Sequence, residues 1–263
     1  MKIEIKNHDS IPVVYDKNLC IANYFYDGKN LVIKIDGEIL ITITNSFLES
    51  QEILLKKIIV KDNTVFLLIS SDFEEYLFIN HYLIRLGAGV RNFELFENNV
   101  YVAYSEEGIF SEFEPSINGV IEYDIGKKYM STILPEKLAE QIIDIECVKI
   151  ISNNLFLIAV FENYEHHLII YDKKNNQIDD IKLPEFEDSI IDLYCTSKYY
   201  YFFTLSSVLI LNTKLNLVES LVLSEYIPSE ISSVLIHENH ILFEGKTKYY
   251  LKDINTFIDL LEN

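Results

Sequence analysis

The feature that most constrains this chain is an internal repeat in its second half. Residues 134–147 read Leu-Pro-Glu, then a polar link, then Ile-Ile-Asp-Ile-Glu-Cys, and residues 183–195 follow the same plan with Ile-Ile-Asp-Leu-Tyr-Cys. A weaker copy begins at Ile227 and runs to Ile236. Repetition of this kind indicates a fold built from similar units, each of which needs its neighbours to bury its apolar face.

Each copy continues into a turn followed by an apolar strand, and such units recur along the whole chain. They occupy residues 29–35, 63–68, 98–104, 153–160, 198–204 and 239–244. Further strands follow each one, which gives six units of four short strands at roughly 40 residues each, the spacing of propeller blades. Runs such as Leu155–Phe161 are continuously apolar, as expected for strands covered on both faces. The sequence therefore predicts an all-β fold, a six-bladed β-propeller formed by a single domain of residues 1–263.

The prediction includes closure of the last blade by the N-terminal strand. Three clear strands lie near residues 231–236, 240–244 and 247–252, and the alternating segment Lys2–Lys6 is expected to supply the fourth. Pairing the chain ends in this way leaves no bare sheet edge. The tail Ile254–Leu261 fits either a strand or a short helix. The chain has only 8 glycines and no tryptophan, which departs from most propeller signatures, so a β-sandwich is the alternative fold.

The charge balance limits the class of partner. The formal net charge is −19, from 22 Lys and Arg against 41 Asp and Glu. Such a chain repels phosphate backbones and anionic lipids, so we expect no nucleic-acid partner and no membrane partner. It attracts basic proteins or metal cations instead. Three scattered cysteines, and a start that alternates instead of forming an apolar run, predict a cytoplasmic protein.

One segment carries a resemblance to other proteins. Residues 98–110 form a strand that ends in an aromatic residue, an acidic pair and a glycine, and residues 119–124 form a strand that ends in Tyr-Asp. This arrangement resembles a segment of uncharacterised bacterial β-propeller-like proteins, over one blade at residues 90–131. The resemblance implies a propeller blade and carries no known activity.

Motifs that would indicate an enzyme are missing from the sequence. It has no Asp box, P-loop, Gly-x-Ser-x-Gly or His-Glu-x-x-His. His166 and His167 are adjacent, and adjacent strand residues point to opposite faces, so they are expected to mark a hairpin tip and not a metal site. We expect no metal and no cofactor.

The two Ile-Ile-Asp copies place Asp144 and Asp192 on first strands, which line the channel of a propeller. These carboxylates either hydrogen-bond the channel wall or bind an ion or a catalytic water. The second role defines an alternative function, a hydrolase or lyase with a carboxylate- or metal-lined channel.

Propeller geometry sorts the loops onto two ends, and charge is expected to segregate between them. Loops from the second to the third strand, and from the fourth strand to the next unit, share one end, here called the acidic end. Its predicted residues are Glu49, Glu52, Asp72, Glu74, Glu75, Glu106, Glu107, Glu112, Glu114, Glu136, Glu140, Glu162, Glu165, Glu185, Glu187, Asp188, Glu225 and Glu230. The opposite, basic end is predicted to carry Lys29, Lys61, Lys127, Lys128, Lys173, Lys174, Lys198 and Lys214, with few acids.

The longest insertion at the acidic end, Ser105–Asn118, sets apolar side chains between glutamates. Apolar anchors ringed by charge are typical of a protein-binding rim. The sequence therefore predicts a non-enzymatic protein-binding module whose acidic face engages a basic protein, as an immunity protein, an antitoxin or another inhibitor would. A structural scaffold is a third hypothesis. The predicted binding residues are Tyr104, Glu106, Glu107, Phe110, Glu112, Phe113, Glu114, Glu162, Glu185 and Glu187.

Overall fold

The computed structural model describes residues 2–6, 9–16, 18–26, 29–44, 53–71, 74–80, 82–87, 89–104, 118–186 and 188–262. In these ranges the chain is almost entirely β-strand. Helix is limited, within the same ranges, to α1 (Glu136–Ala139), a 3-10 turn (Leu223–Glu225) and α2 (Ile254–Leu261). The chain divides into two compact units, residues 1–88 with 235–263, and residues 89–234.

The strands form one eight-stranded sheet and four four-stranded sheets. The strands before the second unit are β1 (Lys2–Ile5), β2 (Ser10–Tyr15), β3 (Asn18–Tyr26), β4 (Asn30–Ile35), β5 (Glu38–Thr44), β6 (Leu54–Lys61), β7 (Thr64–Ser71), β8 (Glu74–Ile79) and β9 (Tyr82–Gly87). They are followed by β10 (Val90–Phe96), β11 (Asn99–Tyr104), β12 (Gly119–Asp124), β13 (Tyr129–Thr132), β14 (Ile142–Ile151), β15 (Asn154–Phe161), β16 (His166–Asp172) and β17 (Gln177–Lys182). The last are β18 (Asp192–Cys195), β19 (Tyr199–Phe203), β20 (Ser207–Asn212), β21 (Leu217–Val222), β22 (Ile231–His237), β23 (His240–Gly245) and β24 (Lys248–Asp253).

Three of the four-stranded sheets follow chain order, β10 to β13, β14 to β17 and β18 to β21, and the fourth has the order β1-β24-β23-β22. The eight-stranded sheet has the order β5-β4-β3-β2-β6-β7-β8-β9. Its two antiparallel halves meet where β2 and β6 pair in parallel, from Val13 opposite Ile58 to Tyr15 opposite Val60. The backbone N–H of Asp16 extends this ladder by donating to the Val60 carbonyl at 2.8 Å.

Tight turns explain why the strands begin where the sequence predicts. Asp62 and Asn63 have φ of 50° and 62°, and Ser152 and Asn153 have φ of 50° and 70°. Two consecutive residues with positive φ characterise the turn that best matches the twist of a hairpin, and Asn and Asp adopt this backbone at low cost.

Central strands are buried on both faces, as their continuous apolar sequence predicts. In β15, Leu155, Leu157 and Ala159 belong to a core cluster that includes residues of β11 and β12. The alternate residues Phe156 and Ile158 belong to a second cluster that includes residues of β19 and β20. Since successive strand residues point to opposite faces, one strand joins two cores.

The all-β prediction is confirmed, whereas six separate blades are not shown, because β2 to β9 form one continuous sheet. Five sheets also differ from the two stacked sheets of a sandwich. That residues 1–263 act as one domain stays a prediction. The pairing of the N-terminal strand is confirmed: β1 runs antiparallel to β24 from Lys2 opposite Leu251 to Ile5 opposite Lys248.

Two details of the sequence analysis are corrected or decided here. We expect the segment 29–35 to be the second strand of its unit, like the corresponding segments of the other units. In the structure it is β4, the third strand of its group, because β3 precedes it, and β5 is the fourth. The tail is the helix α2, which begins where the Asp253 side chain accepts the Thr256 N–H at 2.8 Å and which buries Phe257 and Leu261.

We predict that deleting residues 1–5 lowers the melting temperature by several degrees, because the deletion removes β1 and exposes the backbone edge of β24. Calorimetry of the shortened chain measures the effect. A synthetic peptide of residues 1–6, added in excess, should recover part of the loss, since a ligand of the folded state stabilises it. An unchanged melting temperature after deletion would contradict a stabilising role for β1.

Candidate functional site

The two Ile-Ile-Asp repeats occupy equivalent positions on neighbouring first strands. The backbone N–H of Ile145 donates to the Asp144 side chain at 2.8 Å, and that of Leu193 donates to the Asp192 side chain at 2.8 Å. The N–H of Phe93 donates to Asn92 in the same way, also at 2.8 Å. β10 and β14 share a register shift just before this residue, which frees the N–H that the side chain then satisfies. Asn92 is thus a third copy that the sequence comparison missed, because Asn replaces Asp.

Both predicted channel carboxylates are paired with a cation from the preceding first strand. Arg91 Nε lies 3.2 Å from Asp144 Oδ1, with both side chains about one-third exposed. Lys149 Nζ lies 2.9 Å and 3.0 Å from the two oxygens of Asp192, and both side chains are buried. Burial disfavours the charged lysine, but the negative charges of Asp192 and Glu94 outweigh burial and raise the pKa of Lys149. The arrangement joins first strands of adjacent sheets by charge pairing.

The other ionisable groups near these pairs have partners of their own. Glu146 accepts the Ile190 N–H at 2.8 Å and lies 3.4 Å from His166 Nε2. His167 has different neighbours: it stacks on Phe161 at 3.8 Å and its Nδ1 lies 2.7 Å from Asp180. Across the parts of the chain that the structure describes, no three His, Cys, Asp or Glu residues converge in a way that could hold a metal ion.

The acidic end of the unit 89–234 is built from the loops that the sequence assigned to it. The exposed acidic residues there are Glu136, Glu140, Glu162, Glu185, Asp188, Glu225 and Glu230. Glu165 is partly buried and pairs with Lys182. The predicted binding residues Glu106, Glu107, Phe110, Glu112, Phe113, Glu114 and Glu187 lie outside the described residues.

Tyr104, another predicted binding residue, ends β11 and is partly buried. Its hydroxyl oxygen lies 3.5 Å from the position that a Cβ on its cross-strand partner Gly119 would occupy. Burial raises the pKa of the Tyr104 phenol. Tyr104 therefore supports the local packing of β11 and β12.

Two exposed apolar side chains at the acidic end were not predicted. Tyr164 is 81% exposed in the turn between β15 and β16, and Leu205 is 49% exposed in the turn between β19 and β20. Tyr164 has a φ of 62°, an uncommon backbone for a bulky residue. The available sequence signal was an aromatic residue inside a turn otherwise made of Glu and Asn.

The hairpin turns at the opposite end of the same unit contain the lysines of the predicted basic end. Lys127 and Lys128 lie between β12 and β13, Lys173 and Lys174 between β16 and β17, and Lys198 and Lys214 in the next hairpin turns. The Lys173 ammonium group already has partners: its Nζ lies 3.0 Å from Glu122 Oε1 and 5.4 Å from the Tyr101 ring centroid. The other acids at this end include Asp124, which pairs with Lys127 at 2.9 Å.

The eight-stranded sheet does not follow the predicted segregation. Lys29 lies between β3 and β4, a second-to-third-strand turn, so it belongs to the acidic end of its group and not to the basic end. The turns at the opposite end contain Asp16, Asp36 and Asp62. The prediction for Lys29 is wrong because β4 was expected to be a second strand. With β4 as the third strand, the turn that contains Lys29 lies at the opposite end of the first group.

Five predicted acids of this region are either corrected or outside the described residues. Glu74 and Glu75 belong to β8 instead of a loop: Glu74 pairs with Arg85, and Glu75 is buried with one oxygen 2.7 Å from Lys56 Nζ. Glu49, Glu52 and Asp72 lie outside the described residues.

Comparison with known proteins indicates the fold but no family. No protein-family model and no curated protein matches the chain. A solved luciferin-regenerating enzyme is similar at a TM-score of 0.57 and 10% identity, over 96% of this chain and 95% of that chain. The extracellular domain of the putative one-component system BT4673 from B. thetaiotaomicron is similar at a TM-score of 0.51 and 13% identity, over 92% of this chain. The AfRom2 CNH domain is similar at a TM-score of 0.50 and 8% identity, over 88% of this chain and 78% of that chain.

The chain spans only 31% of the BT4673 domain that it matches. At these identities the likeness shows the fold alone. The fold is all-β and propeller-like, with four blades, which are the four-stranded sheets, and one curled eight-stranded sheet. Among the described residues, no helix has the length and apolar character needed to cross a membrane.

We predict that Lys149→Met destabilises the fold by about 3–5 kcal/mol, because it leaves the Asp192 carboxylate buried without its cation. Adding Asp192→Asn should recover most of the loss, since the amide oxygen can still accept the Leu193 N–H. Urea unfolding of the three proteins measures both effects.

The matched control is Lys127→Met, which breaks an exposed ion pair and should leave the urea midpoint unchanged. Equal stability of the Lys149→Met protein and the parent chain would show that the Lys149–Asp192 pair does not hold these strands together.

Proposed function

We propose that this chain is a non-enzymatic protein-binding module whose acidic end engages a basic protein. The observation that carries the proposal is the separation of charge in the unit 89–234. Exposed Glu and Asp residues predominate in the loops at one end of its sheets, where Lys137 is also exposed, and Lys residues predominate in the hairpin turns at the other, beside Glu97, Asp124 and Asp172. Like charges gathered on one surface repel one another, and a surface of this kind attracts a partner of opposite charge.

Exposed apolar side chains at the same end supply the second element of a binding surface. Tyr164 and Leu205 lie in corresponding turns of adjacent sheets, and Glu162, Glu185 and Asp188 lie in the loops beside them. Tyrosine is enriched among residues that dominate binding energy, because it covers a large area and can also hydrogen-bond. Charge would guide the partner, and Tyr164 would hold it.

The proposal extends to the number of blades. Each half of the eight-stranded sheet is an antiparallel group of four strands, like the four separate sheets. We therefore count β2 to β5 and β6 to β9 as two blades joined by the β2–β6 pairing, which makes six. The resemblance of residues 90–131 to bacterial propeller-like proteins is consistent with this count.

The biological role we propose is that of a cytoplasmic immunity protein, antitoxin or other inhibitor. Cys20, Cys147 and Cys195 form no disulfide bond, which suits a reducing compartment. An inhibitor of a nucleic-acid-binding protein must place negative charge at the surface where its target binds phosphate. The acidic end would supply that charge.

We predict that reversing charge at the acidic end abolishes capture of basic proteins. The variant carries Glu140→Lys, Glu162→Lys and Glu185→Lys, three exposed positions whose replacement should leave the melting temperature unchanged. Immobilised parent and variant chains are compared for retention of proteins from a bacterial lysate.

The partner's association rate should fall steeply with salt, because the Debye length shrinks from about 10 Å at 0.1 M to about 3 Å at 1 M.

The matched control reverses three lysines at the basic end, Lys128→Glu, Lys174→Glu and Lys198→Glu. It should retain the same protein as the parent chain. If this control loses the partner while the acidic-end variant keeps it, the assignment of faces is wrong and the proposed function falls with it.

We predict a different kinetic effect for the apolar anchor. Tyr164→Ala should weaken binding of the captured partner by about 2 kcal/mol, expressed as faster dissociation with an unchanged association rate. Surface plasmon resonance separates the two rates. Tyr129→Ala is the control, because Tyr129 is also exposed, at 64%, but begins β13 at the basic end. Equal dissociation rates for the two variants would exclude Tyr164 as an anchor.

A further inference from the structure

A groove lies in the unit of residues 1–88 and 235–263, at the end of the eight-stranded sheet where β2 and β6 finish side by side. Its volume is about 560 Å³. It is separate from the acidic end, which belongs to the other unit. Pockets that bind small organic ligands have volumes of roughly 300–1,000 Å³ and are lined mostly by apolar side chains with a few polar groups.

The curl of the sheet creates the groove. The β4–β5 hairpin and the β6–β7 hairpin both line it, although β3 and β2 separate them in the order of the sheet. Tight turns fix both hairpins: Asp36 and Gly37 have φ of 50° and 85°, and Asp62 and Asn63 also have positive φ. Gly37 has no atom within 4 Å of a Cβ position, so its role is to allow this backbone. Two rigid hairpins give a groove that exists before any ligand arrives.

The lining combines apolar and polar side chains and is partly open to solvent. Val60 and Val65 are buried at 3% and 5% exposure and belong to the core next to the groove. Ile39 at 63% and Tyr15 at 38% are exposed, and both line the same groove. Covering such surface contributes roughly 25 cal/mol for each Å² removed from water. Two large exposed apolar side chains that meet in one groove favour a ligand with an apolar body.

The rim of the groove is acidic. Asp36 and Glu38 line it, and the neighbouring turns add Asp16 and Asp62, where the Asp62 N–H donates to Asp16 Oδ1 at 3.2 Å. Of the lysines that the structure describes beside these turns, Lys34 and Lys61 are directed away from the groove. Lys34 lies 5.5 Å from the Phe25 ring centroid, and Lys61 follows the lining residue Val60 by one position, which directs it to the other face of the strand.

We propose that this groove binds an organic cation, a primary amine attached to an apolar or aromatic body. The Asp36 and Glu38 carboxylates receive the ammonium group, and Ile39 and Tyr15 cover the body. The Tyr15 ring adds attraction for a cation near its face. Carboxylates at an apolar groove favour a cation over a neutral molecule of the same shape, because the neutral molecule gains only the apolar contact.

The test compares two probes that differ only in charge, 4-phenylbutylamine and 4-phenylbutan-1-ol, by calorimetric titration of the full chain. We expect the amine to bind at least about tenfold more tightly than the alcohol, and its affinity to fall as salt is added. Equal affinities for the two probes, or no binding of the amine, would overturn the proposal.

Variants locate the binding. Ile39→Lys places a positive charge in the groove and should abolish amine binding while the melting temperature stays unchanged, because residue 39 is exposed. Asp36→Asn with Glu38→Gln should weaken the amine about tenfold and leave the alcohol unaffected, and Asn tolerates the backbone of residue 36. The control Glu219→Gln, an exposed acid on β21, should bind like the parent chain. Parent-like amine binding by Ile39→Lys would place the amine elsewhere and refute the site.

Discussion

The structure depends on strands that are apolar on both faces. A sheet whose central strand carries Leu157 on one side and Ile158 on the other has no face to turn toward water. Such a sheet is stable only when another sheet covers each side, so the units of this chain cannot fold one by one. The repeat in the sequence and the stacking of sheets within the unit 89–234 are two consequences of this requirement.

Where first strands of neighbouring sheets meet, charge pairing accompanies apolar contact. Arg91 pairs with Asp144, and Lys149 pairs with Asp192. A buried pair gains little net stability, because removing both charges from water costs nearly as much as their attraction returns. Its consequence is specificity, since a shift of one strand against the next would leave a buried charge alone. We interpret the buried Lys149–Asp192 pair as an element that sets the alignment of β14 and β18, and the more exposed Arg91–Asp144 pair as an additional contact between β10 and β14.

Loops are freer of these packing requirements, and the features on which the proposals rest lie there. The acidic end of the unit 89–234 contains exposed Glu and Asp residues and the exposed side chains of Tyr164 and Leu205. The groove at the β4–β5 and β6–β7 hairpins likewise exposes Ile39 and Tyr15 beside Asp36 and Glu38. Exposed apolar side chains beside ordered charge are consistent with contact with other molecules. We propose a protein as the partner of the first surface and a small amine as the ligand of the second.

The sequence by itself determined the strands and turns, because those signals are local. Adjacent residues specify continuous apolar runs such as β15 and positive-φ turns such as Asp62–Asn63. The alternation of apolar and polar residues in β1 is also local, and it allowed β1 to be placed beside β24. Local patterns failed at β3, because the sequence between β2 and β3, Asp-Lys, has neither the Gly nor the Asn that usually indicates a turn.

Only the tertiary structure decided which strands and side chains meet across long stretches of chain. The parallel pairing of Tyr15 with Val60, which merged two groups into one sheet, has no signature in either strand. The cations beside Asp144 and Asp192 lie on other strands, so the sequence left open whether those carboxylates were paired or free. Contacts of this kind depend on how sheets stack, and stacking is determined by the shapes of whole surfaces that no short segment contains.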